Sequence, residues 1–166
     1  MAGRWSKYQP AVIRIDAGSL DGAALTDTAD NTWSKDYNFV GGNADKSNDY
    51  ISAAADGAHS VYGTCRTGQN FQYGFTKADG LMPGGTYTLA LHFAETYFEA
   101  AGARVFSVVV NGEEKIAGLD IFSRAGGKDV ALVLHVPVTL GSDGVLSLIF
   151  FGTTDRATVA GALQFH

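Results

Sequence analysis

Strict alternation of apolar and polar residues is the feature that most restricts how this sequence can fold. In the segment 86–93, every second residue is large and apolar, and these residues are Tyr87, Leu89, Leu91 and Phe93. The segment 104–110 repeats the pattern. Because successive side chains on an extended strand point to opposite faces, each segment predicts a β-strand with one buried face.

Tight-turn signals separate the alternating segments. Asn111-Gly112 is typical of a two-residue hairpin turn, and Asp143-Gly144 marks a further turn. The chain has 21 glycines and only 3 prolines, and no segment shows the periodicity of an amphipathic helix of ten or more residues. Short strands joined by turns predict an all-β chain that folds as a β-sandwich.

The same patterns give approximate strand positions. Strands are expected at 11–17, 60–65, 70–76, 86–93, 104–110, 130–139, 145–151 and 159–165. Residues 19–49 and 118–128 lack periodicity and are expected to be irregular, and such long segments in compact domains are usually functional. Trp33 is expected to anchor the first of them to the core rather than to bind a ligand.

Composition excludes several classes of partner. The chain has 166 residues, which suits one domain that buries roughly two-thirds of its unfolded surface. With 12 basic and 17 acidic residues, its net charge is −5 and it has no basic cluster, so neither nucleic acid nor membrane insertion is expected. Cys65 is the only cysteine, which excludes an internal disulfide and a cysteine-based zinc site.

Catalytic patterns are weak in this sequence. None of the four histidines has the spacing of a metal-binding motif, and no Gly-x-Ser-x-Gly motif is present. Glu95 and Asp155 could approach each other as the two carboxylates of a glycosidase would, but neither lies among the dense polar residues that hold a catalytic acid. We therefore expect a protein that is not an enzyme, and we predict no cofactor.

An acidic residue and two adjacent aromatic residues follow the strand at 86–93. These residues are Glu95, Tyr97 and Phe98, and small residues follow closely at 100–102. The two aromatic side chains can contact the same ligand only if the backbone bends into a loop here, because neighbours on a strand point apart. Aromatic rings that stack on C–H faces, beside a carboxylate that binds hydroxyls, favour a sugar ligand.

Two motifs resemble the signature of malectin and malectin-like carbohydrate-binding modules. They are HFAETYF at 92–98 and RVFSVVVNG at 104–112. Weaker agreements follow in order, among them IDAG at 15–18, VYGTCR at 61–66 and DRATVAGAL at 155–163. The resemblance runs from about residue 11 to the C-terminus, and it implies a jelly-roll-like, galactose-binding-like β-sandwich of two antiparallel sheets.

The resemblance also implies a set of ligand-binding residues. Malectin holds its sugar with aromatic side chains from several loops and an aspartate near the C-terminus. By motif, the aromatic pair falls on Tyr97 and Phe98, the aspartate on Asp155, and a further tyrosine on Tyr50. Another family tyrosine falls on Thr67, so one aromatic wall is missing here.

Three more residues are candidates around that site. Arg156 follows the aspartate where the family often has Asn-Pro, and its guanidinium can bind hydroxyls or an acidic sugar. Arg66 and Glu95 are expected to pair and to fix the binding loops. Asp155 has a plainer interpretation as a turn residue that bonds to its own backbone. Loop aspartates are available to a calcium ion, but their spacing is not that of an EF-hand and no metal is predicted.

The main hypothesis is a non-catalytic module that binds a short, glucan-like oligosaccharide, with diglucose as one form. Residues 1–10 are expected to be a polar leader or cloning remnant, and 11–166 a single domain. We expect it to be covalently part of a larger multidomain protein, such as a glycoside hydrolase. No apolar leader is present at the start, and no feature identifies the compartment. A secreted or cell-surface setting is expected ahead of the endoplasmic reticulum lumen.

A second hypothesis comes from a different class. Malectin-like domains also occur in plant receptor kinases and cytoskeletal motors, so this chain could be a protein-interaction or structural domain that has lost sugar binding. Thr67 favours this alternative, whereas Tyr97, Phe98 and Asp155 favour a sugar. The fold alone does not decide between them, because sandwiches host many functions.

Overall fold

The computed structural model describes residues 13–21, 24–27, 30–54, 59–160 and 162–165. The expected leader at 1–10 and the start of the first predicted strand lie outside the described residues. The strands are β1 Ile13–Asp16, β2 Leu25–Thr26, β3 Thr32–Trp33, β4 Phe39–Lys46, β5 Thr64–Phe75, β6 Thr86–Phe93, β7 Val105–Val110, β8 Glu113–Leu119, β9 Leu132–Thr139, β10 Leu146–Thr154, β11 Ala157–Ala160 and β12 Ala162–Phe165. A one-turn helix, α1, spans Ile121–Ala125, and 3-10 turns span His59–Gly63 and Lys77–Asp79. None of the described helices is long and apolar enough to cross a membrane.

Two antiparallel sheets form the sandwich. One sheet has the order β1-β12-β6-β9, and the other contains β5, β10, β7 and β8 with β4 and β11 paired to β5. The chain crosses repeatedly between the two sheets. After β1, it re-enters the four-stranded sheet at β6, β9 and β12. The predicted all-β, jelly-roll-like sandwich is confirmed.

The core lies between the two sheets. Apolar side chains from alternate positions of β6 are buried, as are Phe71, Phe75 and Phe150 from the facing sheet and Phe165 from β12, the neighbour of β6. The rings of Phe71 and Phe150 stack within one sheet at 4.9 Å, and Phe75 meets Phe165 of the other sheet edge to face at the same distance. Burying each such ring stabilises the fold by about 1.5–3 kcal/mol, so these contacts hold the sheets together.

A second, smaller apolar cluster packs under the loops at one end. It comprises Trp33, Ile51, Val61, Tyr62 and Ala94. The Trp33 indole N–H donates to Asp27 at 2.9 Å, and its ring meets the edge of His92. Trp33 is buried, which confirms its predicted role as an anchor. Because Ala94 belongs to this cluster, the loop that follows β6 starts from a fixed point.

Several strand predictions are wrong in position. The sequence predicts two strands within residues 60–76, but this segment begins in a 3-10 turn and continues as the single strand β5. Residues 19–49 contain β4, which pairs along β5, and 118–128 contain α1. The closing strand at 159–165 is in fact two strands, β11 and β12, which belong to different sheets.

Asp16 lies buried at the end of β1 and gives the fold a pH dependence. Burial raises its pKa to about 7, the Thr64 hydroxyl partly opposes this by donating to Oδ1 at 3.1 Å, and the charge of Asp36 adds to it. A carboxyl whose folded pKa lies above its unfolded value of about 3.9 binds more protons in the folded state. Its contribution to stability is therefore present below about pH 4 and is lost as the pH rises through 7.

The substitution Asp16→Asn is expected to remove that loss. Urea denaturation between pH 4 and 8 should show the free energy of unfolding of the wild type falling relative to that of the variant. The relative fall should be up to about 4 kcal/mol, because burial raises the pKa of Asp16 from its ordinary value near 4 to about 7. Parallel pH profiles for the two proteins would contradict this assignment.

Candidate carbohydrate-binding site

A cleft of about 220 Å³ opens where the loop after β6 meets the turn between β10 and β11. Its lining residues come from four parts of the fold: Asp45, Cys65, Thr67, Ala94, Glu95, Thr96, Tyr97, Phe98, Arg104, Asp155, Arg156 and Thr158. The structure thus brings together residues far apart in sequence. Six of the eight predicted site residues line the cleft, namely Thr67, Glu95, Tyr97, Phe98, Asp155 and Arg156.

The aromatic pair forms a corner on one side of the cleft. The rings of Tyr97 and Phe98 lie 4.9 Å apart at 89° to each other. Tyr97 has 75% of its surface exposed, and Phe98 is half-buried. The backbone leaves the strand after Phe93, which confirms that the aromatic residues lie on a loop. Two perpendicular ring faces give a sugar both a stacking surface and a side wall.

Glu95 holds this loop in place from within. Its Oε2 accepts hydrogen bonds from the backbone N–H groups of Tyr97 at 3.2 Å and, more weakly, Phe98 at 3.4 Å. Its Oε1 accepts from Arg104 Nε at 2.7 Å, in a pair whose side chains are 3% and 9% exposed. The carboxylate therefore fixes the aromatic loop and is itself neutralised by a buried guanidinium.

Arg104 joins the aromatic loop to the opposite side of the cleft. Its Nη1 donates to the carbonyl oxygen of Arg156 at 2.7 Å, and its guanidinium lies 5.1 Å from the Phe98 ring centroid. One side chain thus contacts Glu95, Phe98 and the turn that carries Asp155. The sequence contains a signal for Arg104 in its RVFSVVVNG motif, but nothing local reveals this bridging role.

The turn between β10 and β11 presents Asp155. Its backbone has a φ of +58°, and its Oδ1 accepts from the Arg156 N–H at 2.7 Å. Gly152 makes the turn possible, because a Cβ there would lie 2.2 Å from the Asp155 carbonyl oxygen. The turn interpretation of Asp155 is therefore correct, and the same residue lines the cleft.

Asp45, at the end of β4, is a cleft residue that was not predicted as a ligand. It pairs with Cys65 across the β4–β5 register, so its position depends on a long-range pairing that no local pattern shows. Cys65 and Thr158 complete this wall, and burial raises the pKa of the Cys65 thiol. Thr67 lines the cleft but is buried, and its hydroxyl proton is used in a hydrogen bond to the Ala157 carbonyl at 3.2 Å.

Arg66 is not where the sequence placed it. The predicted pair with Glu95 is wrong, because Arg66 Nε donates to Asp36 at 2.8 Å and the guanidinium lies 3.5 Å over the Phe39 ring. The reason is strand alternation: Cys65 and Thr67 face the cleft, so Arg66 between them faces the other way. Through these two contacts, Arg66 stabilises the packing of β5 against β4 and the segment that precedes it.

Tyr50 lies outside the lining of the cleft, with 78% of its surface exposed. A larger groove, of about 580 Å³, runs between the edge strands β8 and β9 and includes Lys115, Arg124 and His135. It has no aromatic side chain other than His135 in its lining, so it lacks the stacking surface that a sugar site needs. We therefore place the candidate site in the smaller cleft. Among the residues that the structure describes, no group of three or more His, Cys, Asp or Glu is placed to hold a metal ion.

Comparisons with known proteins identify a family model and relatives that match this chain. The family model described as "Malectin domain" matches residues 11–161. The kinesin-like protein KIN-14Q of Arabidopsis thaliana is 30% identical over 96% of this chain and 12% of its own length. Malectin-A of Xenopus laevis is 50% identical over 42 residues, which are 25% of this chain and 15% of that protein.

Solved structures share the fold. The ANX2 ectodomain of Arabidopsis thaliana matches with a TM-score of 0.78 at 18% identity, over 93% of this chain and 49% of that one. A Bacteroides uniformis beta-glucuronidase matches with a TM-score of 0.74 at 19% identity, over 93% of this chain and 18% of that one. The chain thus spans half or less of these relatives.

Proposed function

The chain belongs to the malectin family, and from that premise we propose that it is a non-catalytic carbohydrate-binding module for a short, glucan-like oligosaccharide. The observation that carries the proposal is the corner formed by the exposed Tyr97 and the half-buried Phe98, which lines one cleft together with Asp155. The rings stack on the sugar, and Asp155 with Arg156 supplies a polar clamp for its hydroxyls.

The size of the cleft favours a short ligand. At about 220 Å³ it is smaller than the roughly 300–1,000 Å³ of sites that enclose a drug-sized ligand. The cleft therefore takes the end of an oligosaccharide, and any further sugar units lie outside it. Tyr50 contributes only if the ligand extends beyond the lining residues.

We propose that the module targets a larger protein to its glycan. A region of the Bacteroides uniformis beta-glucuronidase shares this fold and makes up only 18% of that chain, which supports an association with glycoside hydrolases. The geometry of Glu95 supports a binding role rather than a hydrolytic one. Its carboxylate is occupied by Arg104 and by backbone N–H groups, so it is not placed to act as an acid or base on a sugar.

A protein ligand is the second candidate. It is favoured by Thr67, because a threonine stands where the family resemblance implies a tyrosine and the cleft therefore lacks a third aromatic side chain. The Thr67 hydroxyl is buried and bonds to the backbone. A glycan array probed with the folded chain distinguishes the two candidates. Retention on glucan-type oligosaccharides is the expected result. Binding to no glycan would contradict the carbohydrate proposal and leave the protein ligand.

A further inference from the structure

Two carboxylates in the cleft are held in the same way. Asp155 Oδ1 accepts from the N–H of Arg156 at 2.7 Å, and Asp45 Oδ1 accepts from the N–H of Lys46 at 2.8 Å. In each case the bond is to the next residue, and the second oxygen, Oδ2, accepts no hydrogen bond from any described residue. Both side chains are exposed and both line the cleft. Each therefore offers one oriented acceptor oxygen to a ligand.

The remaining charges in the cleft decide what kind of sugar this arrangement suits. Glu95 and Arg104 neutralise each other through a buried contact of 2.7 Å. The groups left to act on a ligand are the carboxylates Asp45 and Asp155 and the guanidinium of Arg156, and Lys46 does not line the cleft. The net charge of these three groups is −1, from two carboxylates and one guanidinium. An anionic sugar meets more repulsion than attraction here, whereas a neutral sugar gains two hydroxyl acceptors.

Resting on the proposed function, we propose that Asp45 is a second hydroxyl-binding residue in the cleft that the aromatic corner borders. We further propose that Asp45 and Asp155 together make the cleft selective for uncharged sugars over uronic acids. Asp155 is the aspartate that the family resemblance implies, and Asp45 adds a second acceptor to the same lining. The selectivity is partly repulsive, which is how many natural sites reject a close analogue. Because the carboxylates are exposed, it should weaken as salt concentration rises.

The test is calorimetry with two sets of probes. The first is a panel of glucose disaccharides of different linkages, and the second is the matching disaccharides with a terminal glucuronic acid, each beside its methyl ester. The ester has nearly the same shape as the uronate but no charge. The wild type should bind the neutral disaccharide and the ester about three- to tenfold more tightly than the uronate at low salt. That ratio should fall in 0.5 M salt.

Asp45→Asn is the informative variant, since it keeps the size of the side chain and removes its charge. It should reduce the preference for the ester over the uronate to below about twofold, and it should weaken binding of the neutral disaccharide about three- to tenfold. Asp143→Asn is the matched control. Asp143 Oδ1 also accepts from a nearby backbone N–H, that of Val145 two residues on at 3.1 Å, in a turn that does not contribute to the cleft.

The outcomes separate this inference from the proposed function. A wild type that binds the uronate more tightly than its ester would overturn the inference and make Arg156 the recognising group. Equal behaviour of Asp45→Asn and Asp143→Asn would overturn it as well. A folded wild type that binds none of the probes would overturn the proposed function and the inference together.

Discussion

Replacing Asp36 by alanine is expected to lower the free energy of unfolding by about 3–5 kcal/mol. Asp36 Oδ2 accepts from Arg66 Nε and from the Gly18 N–H, and Oδ1 accepts from the Tyr73 hydroxyl, all at 2.8 Å. The side chains of Asp36 and Arg66 are 0% and 3% exposed. The substitution therefore leaves a buried guanidinium without its counter-charge and two further donors without an acceptor.

Urea denaturation followed by tryptophan fluorescence measures this effect. Asp36→Asn should lie between the wild type and Asp36→Ala, because the amide oxygen still accepts a hydrogen bond but carries no charge. The double variant Asp36→Ala/Arg66→Met should recover part of the loss, since it removes the unpaired charge as well. A loss below about 1 kcal/mol for Asp36→Ala would contradict this account of the network.

Replacing Arg104 by methionine should affect both stability and binding. It leaves the buried Glu95 carboxylate without its counter-charge, which costs about 3–5 kcal/mol. It also removes the bond to the Arg156 carbonyl and the contact with the Phe98 ring. The two sides of the cleft are then no longer joined, so affinity for the oligosaccharide should be lost even at temperatures where the variant is folded.

Arg104→Lys separates the two roles. A lysine keeps the positive charge beside Glu95, but it has a single nitrogen and cannot also reach the Arg156 carbonyl as the forked guanidinium does. Thermal denaturation should therefore show a smaller loss of stability than Arg104→Met, while calorimetry should still show weaker sugar binding. Wild-type affinity in Arg104→Lys would contradict the positioning role.

The strands that the sequence predicts correctly are those that local residue patterns define. Alternation along β6 and β7 and the Asn111-Gly112 turn are properties of neighbouring residues, and the structure confirms them, with φ values of +48° and +82° at the turn. Strand β4 was missed because its residues are mostly polar or glycine, and it exists by pairing with β5. The division of the closing segment into β11 and β12 also depends on partners distant in sequence.

Sequence motifs predict some of the residues that line the cleft, whereas strand pairing brings in others that no motif shows. Tyr97, Phe98 and Asp155 lie in one cleft, as the family resemblance implied. Asp45 enters the cleft through the register of β4 with β5, and Arg104 finds Glu95 and Arg156 only in the folded chain. The error over Arg66 has the same origin, because its partner Asp36 lies in a segment that shows no periodicity.

Calorimetry on the wild type and Tyr97→Ala, with the glucan-type oligosaccharide that the array selects, tests the central claim most directly. Tyr97 is 75% exposed, so its removal should leave the fold intact and should weaken binding by about fivefold or more, on the order of 1 kcal/mol for one stacking ring. Met82→Ala, which shortens another exposed apolar side chain outside the cleft, should stay within about twofold of the wild type. Tight binding that survives in Tyr97→Ala, or no sugar binding by the folded wild type, would contradict the account.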